Sequence, residues 1–280
     1  MPTSKQRRQA AQRHLQKQME RRAELAKKRR RNLAILATVV AVVVVAVAAL
    51  VITGVISSNK SSSNAADSSS SASAGSAAAT TNADGTISCT YSPDDTKNPN
   101  LKDVGTPPTP EATPTTGTAT LLMSTNQGDL TLTLDRTKAP CASASFAYLA
   151  SKKFFDNTPC HREVNQPTFG VLQCGDPTGT GSGGPSYKFA QEIPSGTKYP
   201  RGTIAMANTG SPNSTSSKFF LCFVDTQLSP DYTPVGTVDQ AGLAVLDKIA
   251  AAGNNGSFEA QAGGGAPNLP VTITTMAVQG

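Results

Sequence analysis

The chain has 280 residues, 38% of them hydrophobic, with 25 Lys and Arg against 19 Asp and Glu and no Trp. Its formal charge of +6 is uneven: twelve basic and two acidic residues lie in the first 31, a net of +10, which leaves −4 for residues 32–280. The basic character therefore belongs to one arm, and no folded nucleic-acid-binding module accompanies it.

Residues 1–32 are rich in Gln, Arg, Lys and Ala, which favour helix. They read as a cytoplasmic flank that sets topology and touches anionic headgroups. Leu33 to Ile56 runs 24 residues without a charge, enough to cross ~30 Å of hydrocarbon. That is longer than a signal-peptide core of roughly 7–15 residues. Lys27–Arg31 abuts its start, so the positive-inside rule places the N-terminus in the cytoplasm and the remainder outside. The expectation is an uncleaved signal-anchor in the cell membrane, spanning once as a transmembrane helix. Residues 57–118 are Ser/Ala/Thr-rich and then Pro-rich, interrupted by Cys89. Such a composition buries too little apolar surface to offset its ordering entropy, so a disordered tether is expected.

The folded domain is expected over 119–280. All nine Phe lie at or beyond Phe146, and ~165 residues suffice for one domain with a sizeable core. TLLMSTNQGDLTLTLD reads as two strands joined at Asn126–Asp129, with Leu130, Leu132 and Leu134 alternating. APCASASFAYLASKKFF reads as a helix with Pro140 near its start and Phe146 and Leu149 buried. Short strands between turns follow. Gly242–Gly253 reads as a second helix ended by Gly253, and Val271–Gln279 as a last strand. Many short strands with two helices suggest a mainly β, closed barrel.

The chemistry-bearing residues are sparse. Gly175–Tyr187 is glycine-rich but lacks the GK[ST] ending of a phosphate loop, and reads as a flexible surface loop. The only histidines are His14 and His161, and there is no GxSxG or CxxC, which argues against a hydrolase triad and a zinc site. No metal, cofactor or nucleic-acid partner is expected. Five Cys, at 89, 141, 160, 174 and 222, leave at least one unpaired. Cys160 and Cys174 flank segments that suit neighbouring strands, Cys141 is a rival partner for either, and Cys222 reads as a buried thiol.

Four segments carry more: CHREV (160–164), VLQCGDPTGTGSGGP (171–185), YPRGTIAMANTG (199–210) and SKFFLCF (217–223). In order and spacing they resemble the cyclophilin family of peptidyl-prolyl cis-trans isomerases, whose patterns run roughly FHR, QGGD, GxGxGG, MANxG and SQFF. With its anchor, tether and extra Cys, the chain is most similar to the membrane-bound cyclophilins of actinobacteria. The resemblance implies a cyclophilin-like eight-stranded antiparallel barrel capped by two helices, acting on Xaa-Pro bonds of exported proteins as a monomer. It implies Arg162 as the catalytic arginine with His161 beside it. It implies Gln173, Val171, Phe169, Ala207, Asn208, Lys218, Phe220, Leu228 and Tyr232 as substrate-binding.

The departures are specific. Lys218 stands where the family usually has Gln, and Tyr232 where His is common. The segment EVNQPTFGVL is longer than usual, so Phe169 reaches the pocket position only with a shift and Gly170 takes the strict one. Gln227 stands where many members carry the Trp linked to cyclosporin binding. Lys218 and the altered Arg162–Gln173 segment support a competing reading, a proline-peptide binding module or chaperone on the same scaffold.

Overall fold

The structure is a computed structural model that describes residues 81–94 and 97–279. In chain order it contains β1 (Ser92–Pro93), β2 (Leu101–Lys102), a 3-10 turn (Pro110–Ala112), β3 (Thr118–Thr125), β4 (Gly128–Asp135) and α1 (Pro140–Ser151). There follow β5 (Thr158–Pro159), β6 (Arg162–Gln166), β7 (Phe169–Cys174), β8 (Gly184–Pro185), β9 (Tyr187–Lys188), β10 (Thr203–Met206) and β11 (Phe219–Cys222). The last elements are β12 (Pro234–Val238), α2 (Gln240–Ala252) and β13 (Thr272–Val278).

The first hairpin follows directly from period-two alternation. Ala119, Leu121 and Met123 of β3 and Leu130, Leu132 and Leu134 of β4 turn inward and are buried. The residues between them face out. Asn126 and Gln127 make a two-residue turn, and Gly128 takes φ 139°, where L side chains are strained.

Strand order in the main sheet is β5-β13-β3-β4-β12-β10-β11-β7-β6, with every pairing antiparallel. The two strands at the ends of this order, β5 and β6, are consecutive pieces of one segment broken at Cys160–His161. The sheet therefore rolls round on itself, and counting that segment once gives eight strands.

Helix α1 opens with Pro140, whose fixed φ suits the first turn. Ala139 at its N-cap has no side-chain acceptor. Glu192 supplies one from a distant loop: its carboxylate accepts the N–H groups of Cys141 (2.9 Å) and Ala142 (2.8 Å). Helix α2 starts two residues before the expected Gly242 because Asp239 caps it, accepting from the Gly242 N–H at 2.9 Å. Gly253, at φ 67°, ends it. Phe146 and Leu149 of α1 and Leu243, Leu246 and Ile249 of α2 pack into one core with the inward faces of the sheet. Phe146, Phe155 and Phe219 meet there at 4.8–5.8 Å between ring centroids.

Strands β7, β10 and β11 are apolar on both faces. Leu172, Ile204 and Phe219 join the main core, while Val171, Ala205 and Phe220 join a second cluster on the opposite face. That second cluster supports the candidate site.

A disordered tether running to Thr118 is corrected over the described part of that stretch. From Thr81 onward the chain is built onto the domain. Cys89 is disulfide-bonded to Cys141 at the start of α1. β1 pairs with β9, and β2 pairs in parallel with β8. Tyr91 packs edge-on to Tyr187 (5.4 Å) and Phe189 (5.6 Å) and donates to the Cys141 carbonyl at 2.8 Å. The segment lacks a core of its own and borrows one, which composition does not register. The second disulfide joins Cys160 to Cys174, and Cys222 is a buried free thiol.

The basic arm, the apolar stretch Leu33–Ile56 and residues 57–80 lie outside the described residues. Among the described residues no helix is long and apolar enough to cross a membrane.

Candidate active site

Alternation along three strands builds the site. In β7, Phe169, Val171 and Gln173 share one face, and in β11 Phe220 lies opposite Gln173 in register. Arg162, at the start of β6, is also paired in register with Gln173. These residues, with Ala207, Asn208, Leu228, Tyr232 and Ala262, line a pocket of about 410 Å³.

The β6–β7 connection resolves the shifted segment. A two-residue turn at Pro167–Thr168 puts Phe169 on the pocket face. Gly170 turns away, where an added Cβ would lie 2.6 Å from the Phe223 ring. Phe169 thus takes the pocket position, and Gly170 permits a close approach behind it.

The pocket floor is aromatic. Phe220 and Tyr232 stand edge to face at 5.4 Å. The Tyr199 hydroxyl donates to the Tyr232 carbonyl (2.8 Å) and accepts from the Tyr232 N–H (3.0 Å), which holds that wall in place.

Arg162 is held in three directions. Its Nε donates to the Gly263 carbonyl and its Nη1 to Gln173 Oε1, each at 2.9 Å, and its Nη2 donates to the Ala262 carbonyl. A guanidinium has five N–H groups, so two remain for a ligand. Burial lowers its pKa, yet it stays charged because an arginine titrates so far above neutrality.

Asn208 has its side chain occupied. Nδ2 donates to the Asp231 carbonyl and Oδ1 accepts from the Gly210 N–H, both at 2.8 Å. Its backbone N–H and carbonyl make no hydrogen bond among the described residues, which leaves them to pair with an extended peptide.

Two expected site residues are elsewhere. His161 is 7% exposed and does not line the pocket. As the neighbour of Arg162 on an extended segment it points to the opposite face, beside Gly181. Burial pushes its pKa down to about 4, so it is neutral at pH 7. Lys218 is likewise outside the pocket lining, and its ammonium donates to the Gly181 carbonyl at 2.9 Å. The glycine-rich loop itself is ordered: buried Asp176 accepts from the N–H groups of Thr178 (2.8 Å) and Gly181 (2.5 Å).

No motif in the sequence points to Ala262 and Gly263. They act through backbone carbonyls, which carry no side-chain signature. Gly265 bonds Glu163 in both directions (2.7 and 3.0 Å), so their loop is fastened to β6 beside Arg162. A larger hollow of about 450 Å³ is lined by Thr, Ser, Pro and Gly residues with Asp135, Lys138 and Lys198. It contains none of the residues above, and Lys138 there is already paired with Asp135 at 2.8 Å.

Behind Arg162 lies an unusual group. Glu163 is 0% exposed and both its carboxylate oxygens lack a hydrogen-bond partner. Burial pushes its pKa up to about 7, against roughly 4.3 in an unfolded chain. The folded state then binds the proton more tightly, so Glu163 contributes stability that is fully present below pH ~4.3 and is lost as pH rises through about 7. Glu163→Gln is expected to flatten that part of the stability profile, measured by urea unfolding between pH 4 and 8.5. Because His161 contributes the opposite slope on the acid side, the difference between wild type and variant isolates Glu163. Parallel profiles would remove the assignment.

A family model described as cyclophilin type peptidyl-prolyl cis-trans isomerase/CLD matches residues 120–278, more than half the chain. The chain belongs to the cyclophilin family. It is 42% identical over 202 residues to the probable peptidyl-prolyl cis-trans isomerase B of Mycobacterium leprae, covering 68% of this chain and 66% of that protein. It is 42% identical over 201 residues to the protein of the same name in Mycobacterium tuberculosis, covering 68% and 63%. The match thus spans just under two thirds of these relatives' own length. A solved cyclophilin-type isomerase of Cryptosporidium parvum is 29% identical with a TM-score of 0.51, covering 59% of this chain and 99% of that one. The same protein crystallised in the presence of the dipeptide Ala-Pro gives 28% and 0.50, covering 57% and 99%.

Proposed function

We propose that the chain is a peptidyl-prolyl cis-trans isomerase acting on Xaa-Pro bonds of extended or unfolded exported polypeptides. The observation that carries this reading is Arg162, held by three acceptors with two donors left, at the edge of an aromatic-floored apolar pocket. The Ala-Pro dipeptide used with the Cryptosporidium protein is consistent with a proline-sized occupant.

Rotation about an Xaa-Pro bond faces a barrier of roughly 18–20 kcal/mol because the amide is resonance-stabilised. Unaided it takes tens to hundreds of seconds. No covalent bond breaks, so the reaction needs no nucleophile. As the amide twists, its nitrogen regains a lone pair. The free Arg162 donors meet that lone pair only in the twisted state, which stabilises the transition state over both ground states. Gln173 and the 262–263 carbonyls keep the guanidinium from following the substrate. Phe220, Phe169, Val171, Leu228 and Tyr232 hold the proline ring. The Asn208 backbone grips the preceding residue, so one side of the bond is fixed while the other turns.

The proposal extends to location. Leu33–Ile56 is the single membrane anchor, the basic arm is cytoplasmic, and the domain acts outside the cell membrane as a monomer. Two disulfides support this reading, since such bonds persist in oxidising compartments.

The test uses the second of the chain's two compact units, Ser71–Gly280, and a protein whose refolding is limited by one Xaa-Pro bond. Acceleration of that slow phase in proportion to enzyme concentration is expected. Peptide binding without acceleration would establish the binding module in its place.

A further inference from the structure

The glycine-rich loop is fastened from two sides. Inside, the Thr178, Thr180 and Ser182 hydroxyls form a chain with steps of 2.8 and 2.6 Å above buried Asp176. From outside, residues 97–103 close on the end of that chain. Asn98 Nδ2 donates to the Ser182 carbonyl (2.6 Å) and Asn100 Nδ2 to the Ser182 hydroxyl (3.1 Å). β1 and β2 pair with β9 and β8 immediately beyond, and the Ser186 hydroxyl donates to Asp103 at 3.1 Å.

The residue before Ser182 matters most. Gly181 offers its carbonyl to the Lys218 ammonium. The Lys218 carbonyl in turn accepts from the Ala207 N–H at 2.8 Å, so the Lys218 backbone adjoins the pocket wall. Lys218 immediately precedes β11, and two residues on from it Phe220 lines the pocket. The Gly181 carbonyl draws the ammonium aside. Asp176 of the loop and Asp94 of the N-terminal segment are the acids that face it.

We propose that residues 92–94 and 97–103 are a positioning strap: by fixing Ser182 and Gly181 they hold the Lys218 ammonium away from the substrate groove, and so keep the site indifferent to the charge of residues flanking Xaa-Pro. The strap is thereby a specificity determinant outside the family-matched residues. The inference rests on the isomerase reading of the same pocket.

The test uses the full chain in detergent micelles, with Asn98→Ala/Asn100→Ala, the milder Asn100→Ala, Lys218→Gln, and the double-Ala variant combined with Lys218→Gln. Hydrogen exchange at amides 178–183 is expected to quicken by about tenfold in the double-Ala variant and by less in Asn100→Ala. Two Xaa-Pro peptides differing only by Glu or Lys before Xaa then report selectivity. Wild type is expected to turn both over alike. The double-Ala variant is expected to favour the Glu peptide by about threefold, and adding Lys218→Gln is expected to abolish that preference. Unchanged exchange, or a preference that survives Lys218→Gln, would overturn the strap's role. If no variant turns over either peptide, the isomerase reading fails alone, and the same Glu-to-Lys ratio measured as Kd decides the strap. Asn100→Ala keeps the Asn98 bond and both strand pairings, so it carries the test should the double variant not fold.

Discussion

Arg162→Ala is expected to lower kcat/KM for Xaa-Pro isomerisation by about 10²- to 10³-fold, the scale of losing a preorganised donor to a transition-state charge. Peptide affinity should change far less, because the apolar wall of Phe220, Val171 and Leu228 remains. Arg162→Lys tests the geometry rather than the charge. A single ammonium cannot reach Gln173, Ala262 and Gly263 in the directions the guanidinium fork does and still present two donors to the pocket. Its loss is expected to exceed about tenfold. Stopped-flow assays on short Xaa-Pro peptides, with peptide Kd measured in parallel, separate the two quantities. Wild-type kcat/KM in Arg162→Lys would mean that the fork is not what lowers the barrier.

The second large effect concerns residues 81–117. Cutting the Cys89–Cys141 cross-link with Cys89→Ser/Cys141→Ser is expected to lower the stability of the unit by about 4 kcal/mol, taking the 52-residue separation as the closed loop; shortening the unit to begin at Thr118 removes the segment's packing contacts. It also uncovers Tyr187 and Phe189, which are 1% and 2% exposed beneath Tyr91. Denaturant unfolding of Ser71–Gly280, of its Cys89→Ser/Cys141→Ser variant and of the shortened unit measures the differences. A shared midpoint would show that the segment rides on the domain without supporting it.

The parts of the fold that were legible share one property: each is written in side chains with a period or a motif. Leu130, Leu132 and Leu134 announced an inward strand face, Phe146 and Leu149 a helix stripe, and Gly253 a helix end. Nine of the eleven site residues named from motifs line one pocket. What was missed works through the backbone or through partners distant in sequence. Gly263 and Ala262 contribute carbonyls, and Glu192 caps a helix 50 residues away. The 81–117 segment draws its order from Cys141, Tyr187 and Gly184 rather than from its own Ser, Thr and Pro. Lys218 and His161 were misplaced for a related reason. Motif alignment assigns a position on a strand, but whether a long or neighbouring side chain enters the pocket depends on which carbonyl or face receives it.

The measurement that bears most directly on the central claim is NMR exchange spectroscopy on a short Xaa-Pro peptide with catalytic amounts of Ser71–Gly280. Cis and trans signals are expected to exchange on a timescale well below one second, against tens to hundreds of seconds unaided, and to fall back toward the unaided rate with Arg162→Ala. A peptide that binds the pocket, shifting the Phe220 and Tyr232 resonances while its cis and trans forms exchange no faster than in buffer, would contradict the account.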